Sequence, residues 1–188
     1  CAAVEALPHL TGCEPLYTQA LAHPDADVRF TAARQLAAAG RAEGMSALVE
    51  ACGHLATAAR AREILTEIQR EDAIPAAARV PDFVALSDMA AWLAHPSELG
   101  RMPEELEIID RRTLPWPPER AEKSVWLIRF RARAGEDDES ETEGWGLAGT
   151  VTFSLFSYEL HTGTIEDAYA VHCAWEMQQA GLIEEAEV

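Results

Sequence analysis

Residues Ala22–Gly40, AHPDADVRFTAARQLAAAG, hold a helix start, a helix body and a helix stop in one line. Pro24 fits before or inside a first helical turn, where its missing N–H costs nothing. Asp25 can cap the helix, and Asp25 and Asp27 both favour the positive end of its dipole. Val28, Ala32, Leu36 and Ala39 then fall on one face at helical spacing. Ala33 and Ala37 flank that face and are small enough for close helix contact. Gly40 stands where a left-handed C-cap belongs. The stretch reads as one long amphipathic helix, in the form a stacking repeat needs.

HPDADVR followed by AARQLA resembles the second helix of a HEAT repeat, of the short bacterial kind also seen in phycobilisome lyases. The resemblance implies a stack of helical hairpins. It also implies that Asp27, Val28 and Arg29 form the repeat signature, with Arg29 tying neighbouring repeats together.

The formal charge of −17 is unevenly placed. Residues 1–80 carry 7 basic and 10 acidic side chains, whereas residues 81–188 carry 8 and 22. A field of that sign repels phosphate backbones, so nucleic-acid binding is not expected and a basic protein partner is. No apolar run reaches the ~18 residues of a membrane span. The four cysteines, Cys1, Cys13, Cys52 and Cys173, have no CxxC spacing, which points to a reducing compartment and a cytoplasmic protein. Cys1 leaves one alternative. A mature bacterial lipoprotein begins with an acylated cysteine, but a flexible polar tether usually follows, and here CAAVEAL runs into helix-like sequence.

In chain order, Pro8, Gly12 and Pro15 break the first 22 residues into short helices. Pro15–Ala22 and Asp25–Ala39 make one helical hairpin. Arg41–Cys52, with Met45, Leu48 and Val49 on one face, and Leu55–Arg70, with Ala58, Ala61, Ile64, Leu65 and Ile68 inward, make a second. Pro81 and Asp82 start a helix over Phe83–Ala94, with Leu86, Met89, Ala90 and Leu93 inward.

After Gly100 the period changes. Glu105–Leu114 has β-branched content and partial alternation. Pro115, Trp116, Pro117 and Pro118 form a rigid break. Val125–Arg133 alternates, with Trp126, Ile128 and Phe130 one way and Arg129, Arg131 and Arg133 the other. Gly135–Gly144, GEDDESETEG, reads as a solvated acidic loop. Trp145–Phe156 reads as one further strand, with Leu147, Val151, Phe153 and Leu155 on one face. Thr164 caps a helix over Ile165–Ala180 that stops at Gly181, with Asp167 at the capping-box position. Ile165, Tyr169, His172 and Glu176 lie along one side of it, with Ala168 and Trp175 beside them. LSDMAAWLAHPSELG, IDRRTLPWPP, WLIRFRAR, GWGLAGTVTFSLF and EDAYAVHCAWEMQ resemble an uncharacterised C-terminal module found behind HEAT-like repeats in bacterial proteins. That resemblance covers about residues 83–180 and implies an architecture without an activity.

The expected fold is α+β: a HEAT-like helical stack over 1–80, then a module over 81–188 with about three antiparallel strands covered by helices. His172 and Cys173 make the densest chemical cluster, but neighbours on a helix point about a hundred degrees apart and do not form a thiolate–imidazole pair. A packed histidine and a buried thiol are the expectation. Cys52 and His54 have no second pair of metal ligands to join. The arginine strand face has Glu105, Glu107 and the acidic loop to pair with. Gly144 and Gly146 flank Trp145, which suits either a recognition tip or a lid on the core.

No cofactor, metal site or catalytic residue is expected, and an enzyme is the less favoured reading. The favoured one is a protein-binding module, an adaptor or an immunity- or inhibitor-type protein, acting as a monomer or weak dimer. Glu136, Asp137, Asp138, Glu139, Glu141, Glu143 and Trp145 are its candidate contact residues. The alternative is a small-molecule-handling, lyase-like protein with a pocket at Trp116, His172 and Trp175.

Overall fold

The structure, a computed structural model, describes residues 14–133, 141–149, 152–156 and 163–183. The fold is α+β, and the chain divides into two compact units, Cys1–Val84 and Ala85–Val188. Among the described residues six α-helices and one four-stranded antiparallel sheet occur.

The first unit holds α1 (Glu14–Ala20), α2 (Ala26–Ala38), α3 (Ala42–Ala51) and α4 (Leu55–Glu67), followed by two 3₁₀ turns, Glu71–Ala73 and Ala76–Arg79. Asp25 caps α2, its carboxylate accepting from the backbone N–H of Asp27 at 2.8 Å and of Val28 at 3.4 Å. At the other end Gly40 takes φ +74°, and the Gly40 and Arg41 N–H groups bond back to Ala37 and Leu36 in a Schellman arrangement. α4 stops in the same way, but there the left-handed position is held by Gln69 at φ +58°.

α2 is buried on two sides. Phe30, Ala33 and Ala37 join Leu48, Cys52, Ala61, Ile64 and Leu65 in the larger core, while Ala32 and Leu36 pack with Tyr17 of α1. Ala39, expected on the buried face, is the exposed C-cap because the helix stops one residue earlier. α3 passes α2 at Gly44, where a Cβ would lie 2.5 Å from Leu36 Cβ and from the Ala33 carbonyl, so only glycine fits.

The boundary between the units falls inside α5 (Pro81–Leu93). The sheet has the order β1-β2-β3-β4, formed by β1 (Glu105–Trp116), β2 (Ala121–Arg133), β3 (Glu141–Ala148) and β4 (Phe153–Phe156), and α6 (Ile165–Gln179) follows. The expected strand Trp145–Phe156 is therefore two strands. Gly149, at φ +150° and with the Ser124 carbonyl 2.5 Å from where a Cβ would stand, lies just past the end of β3. Leu147 pairs with Phe153 and Trp145 with Leu155, which keeps all four side chains on one face. Pro115 and Trp116, read as part of a break, still pair with Glu122 and Ala121. β1 is an edge strand, and an edge tolerates the missing proline N–H.

Both faces of the sheet are covered by helices. Ile128, Phe130 and Ala148 pack against Ala85, Met89 and Leu93 of α5. Val125, Leu127, Leu147 and Leu155 pack against Ile165 and Ala168 of α6 and against Trp116. The β1–β2 register slips at Ile109, so one extra residue stands in β1. That bulge reverses the parity of the strand. Leu106 and Ile108 belong to the α5 face, and Leu114 and Trp116 to the α6 face.

Candidate functional site

The α6 face of the second unit gathers most of the residues singled out from the sequence. Thr164 starts the helix, its hydroxyl accepting from the Asp167 N–H at 3.2 Å. Gly181, at φ +68°, ends it, with the Leu182 N–H bonded to the Met177 carbonyl. Between those caps the 3.6-residue period distributes the side chains. Ile165, Ala168 and His172 are buried toward the sheet, Tyr169, Cys173 and Met177 follow one flank, and Trp175 is 54% exposed.

His172 is 4% exposed and lies between rings. Its imidazole centroid is 4.4 Å from Phe153 in a stacked arrangement, 4.7 Å from Trp116 and 5.9 Å from Trp175. The structure thus brings Trp116, His172 and Trp175 together and adds Phe153. His172 Nε2 is 3.2 Å from Glu176 Oε1, without the geometry of a hydrogen bond to it. Burial pushes the imidazole below its ordinary pKa, and the Glu176 carboxylate only partly opposes this. His172 is therefore neutral at pH 7 and packs as an aromatic ring.

Cys173 does not pair with that imidazole. It sits beside Tyr169, and burial raises its thiol above the usual range. Tyr169 donates its hydroxyl to the Pro115 carbonyl, and burial, followed by the contact with Cys173, pushes its pKa up to about 12. A thiol held protonated is a weak nucleophile. Beyond these two groups the Pro115–Arg120 turn and the Tyr169, Cys173, Met177 flank enclose a cleft of about 240 Å³.

The other end of the same face is a ladder of opposite charges. β-sheet register sets Arg131 directly across from Glu105 on one side and Glu143 on the other, and sets Arg129 across from Glu107. Arg131 reaches Glu143 at 3.2 Å and Glu105 at 3.4 Å, and Arg129 pairs with Glu107. Arg112 pairs with Asp110 at 2.8 Å and with Glu166 at the start of α6. Each exposed cross-strand pair contributes roughly 0.2–1 kcal/mol.

Three of the candidate contact residues change character in the structure. Glu141 and Glu143 belong to β3 and not to a loop, and Glu143 is occupied by Arg131. Trp145 is half-buried in the α6-face core, with its ring against Gly163, so it covers apolar side chains. Glu136, Asp137, Asp138 and Glu139 lie outside the described residues.

In the first unit the signature residues separate. Val28 is buried. Asp27 of α2 forms an ion pair with Arg60 of α4, and the Arg60 guanidinium lies 4.7 Å above the Phe30 ring. Arg29 donates to the His23 and Pro24 carbonyls at 2.7 and 2.6 Å, clasping the turn before its own helix. The link from α2 to α4 is thus made by Asp27 with Arg60 and by Arg34 with Glu67 at 3.1 Å. Cys52 is fully buried, with its thiol raised by burial. Among the described residues no group of three or more His, Cys, Asp or Glu side chains is placed to hold a metal ion. Among them, too, no helix is long and apolar enough to cross a membrane.

Sequence reasoning passed over Tyr169, Cys173, Met177 and Arg120 as a group. The i, i+4, i+8 spacing of the first three was the available signal. No protein-family model matches this chain, and neither does any curated protein or solved structure.

Proposed function

We propose that this chain is a non-enzymatic protein-binding module, an adaptor or an immunity- or inhibitor-type protein, whose acidic second unit engages a basic surface of its partner. The observation that carries this reading is where the charge resides. Residues 85–188 hold 21 acidic and 8 basic side chains, a net of −13 out of −17. Arg101, Arg112, Arg129 and Arg131, half of the eight cations, are matched to carboxylates of the same unit. Such a field steers basic surfaces and raises their association rate.

In this reading the first unit is a HEAT-like scaffold carrying the Asp27, Val28, Arg29 signature, and the protein works in a reducing compartment. The burial of His172 between aromatic rings and the raised thiol of Cys173 support binding over catalysis, because the imidazole is shut away from solvent and the thiol is a weak nucleophile.

Affinity capture from the native cell, with mass spectrometry, tests the reading. A parallel capture uses a variant with Glu136, Asp137, Asp138, Glu139 and Glu141 changed to their amides. The expected catch has a basic surface, elutes with modest salt and is depleted with the variant. Captured proteins that are acidic, or that are held equally by both baits at high salt, would refute it.

A further inference from the structure

The cleft beside α6 is built from an unusual set of groups for so acidic a protein. Pro115, Pro117, Pro118, Tyr169 and Met177 give it apolar walls. Its polar groups are few. The Tyr169 hydroxyl is committed to the Pro115 carbonyl. The Cys173 thiol is held beside Tyr169. That leaves one cation, Arg120.

Arg120 has three properties that fit a ligand contact. It lines the cleft, and its charge acts on both Tyr169 and Cys173 against the effect of burial. It makes no ion pair with a described carboxylate, although Glu119 and Glu122 are close in sequence. It also occupies φ +58°, a left-handed conformation that side chains other than glycine, asparagine and aspartate rarely adopt. Residues held in sparsely populated backbone conformations recur at ligand clamps. Apolar walls around one convergent charged group are the usual composition of a small-molecule site.

We infer that this cleft binds a small monocarboxylate with a compact apolar body, its carboxylate against the Arg120 guanidinium and its body against the prolines, Tyr169 and Met177. Arginine presents a planar fork that meets a carboxylate through two parallel hydrogen bonds. Arg120 is exposed, so the pair is weakened as salt rises. No chemistry on the ligand follows, because the nearest nucleophile, Cys173, is protonated. The site stands apart from the partner-binding reading and survives or fails without it.

The test is a titration of the full ¹⁵N-labelled chain with phenylacetate at pH 7 and low salt, followed by amide shifts. Saturable shifts are expected at Trp116, Glu119 and Arg120 and at residues 169–177. Phenethylamine, with the same ring and the opposite charge, should not produce them. Arg120→Gly relieves the backbone conformation, so its Tm should equal or exceed that of the wild type. It should nevertheless weaken phenylacetate about tenfold or more, the loss expected for a hydrogen bond to a charged group. Arg120→Lys should bind at an intermediate level. Shifts elsewhere only, equal binding of phenethylamine, or unchanged affinity in a folded Arg120→Gly variant would each overturn the proposal.

Discussion

The two faces of one sheet are built on different principles. The α5 face is apolar throughout its centre: Ala85, Met89, Leu93, Ile128, Phe130 and Ala148 are all 3% exposed or less. Its fit is tight enough to require glycine at two adjacent same-face positions of β3. A Cβ on Gly144 would lie 2.3 Å from the Phe130 ring, and one on Gly146 would lie 2.3 Å from Met89 Cε. The α6 face has an aliphatic patch, but around it stand a stacked histidine, a raised tyrosine and thiol, a cleft and rows of paired charges. One face spends its residues on packing, and the other keeps polar chemistry near solvent. A sheet covered on both sides can divide these tasks because alternate residues of each strand serve opposite layers.

The largest break in that comparison is Phe130→Ala. It removes a fully buried ring from the α5 face and should cost about 3–5 kcal/mol in denaturant unfolding of the second unit. Gly144→Ala should cost about 1–3 kcal/mol by overpacking, since the Leu155 carbonyl at 2.6 Å is backbone and cannot swing aside.

On the α6 face the expected effects are smaller and depend on conditions. The folded pKa of His172 lies below its unfolded value, so the unfolded chain binds the proton more readily. Stability should be level above about pH 6.5, the ordinary histidine value. It should fall as pH drops from there through the folded pKa. His172→Leu should flatten that part of the stability–pH curve relative to wild type, and identical curves would remove the histidine from the account. Arg131→Ala should be the mildest change, about 1 kcal/mol or less at low salt and less still at high salt, because its partners are exposed.

What was legible in the sequence follows the same division. Helix ends were readable because each rests on one or two residues with a local mechanism: Asp25 and Gly40 for α2, Thr164 and Gly181 for α6. The alternation of β2 placed Trp126, Ile128 and Phe130 on one face, and they are there. It also set Arg129 and Arg131 opposite to them but gave no sign that Val125 and Leu127, on the arginine side, are core. A strand covered at one end and exposed at the other alternates in two ways at once. The bulge at Ile109 and the division of residues 145–156 into two strands depend on pairing partners distant in sequence, and no local pattern marks them. Trp116, His172 and Trp175 could be proposed as neighbours, whereas Phe153 and Arg120 join them only through the sheet register and the turn.

The claim that the acidic unit recruits a basic partner is tested most directly by association kinetics. The captured partner is mixed by stopped flow with wild type and with the variant carrying amides at Glu136, Asp137, Asp138, Glu139 and Glu141. Glu143 is left intact because it holds Arg131. Wild-type association should slow steeply as salt rises toward physiological strength, where the screening length is about 8 Å. The variant should associate more slowly at low salt, with a flatter salt dependence and an unchanged Tm. Equal on-rates and equal salt slopes for the two proteins would contradict the account.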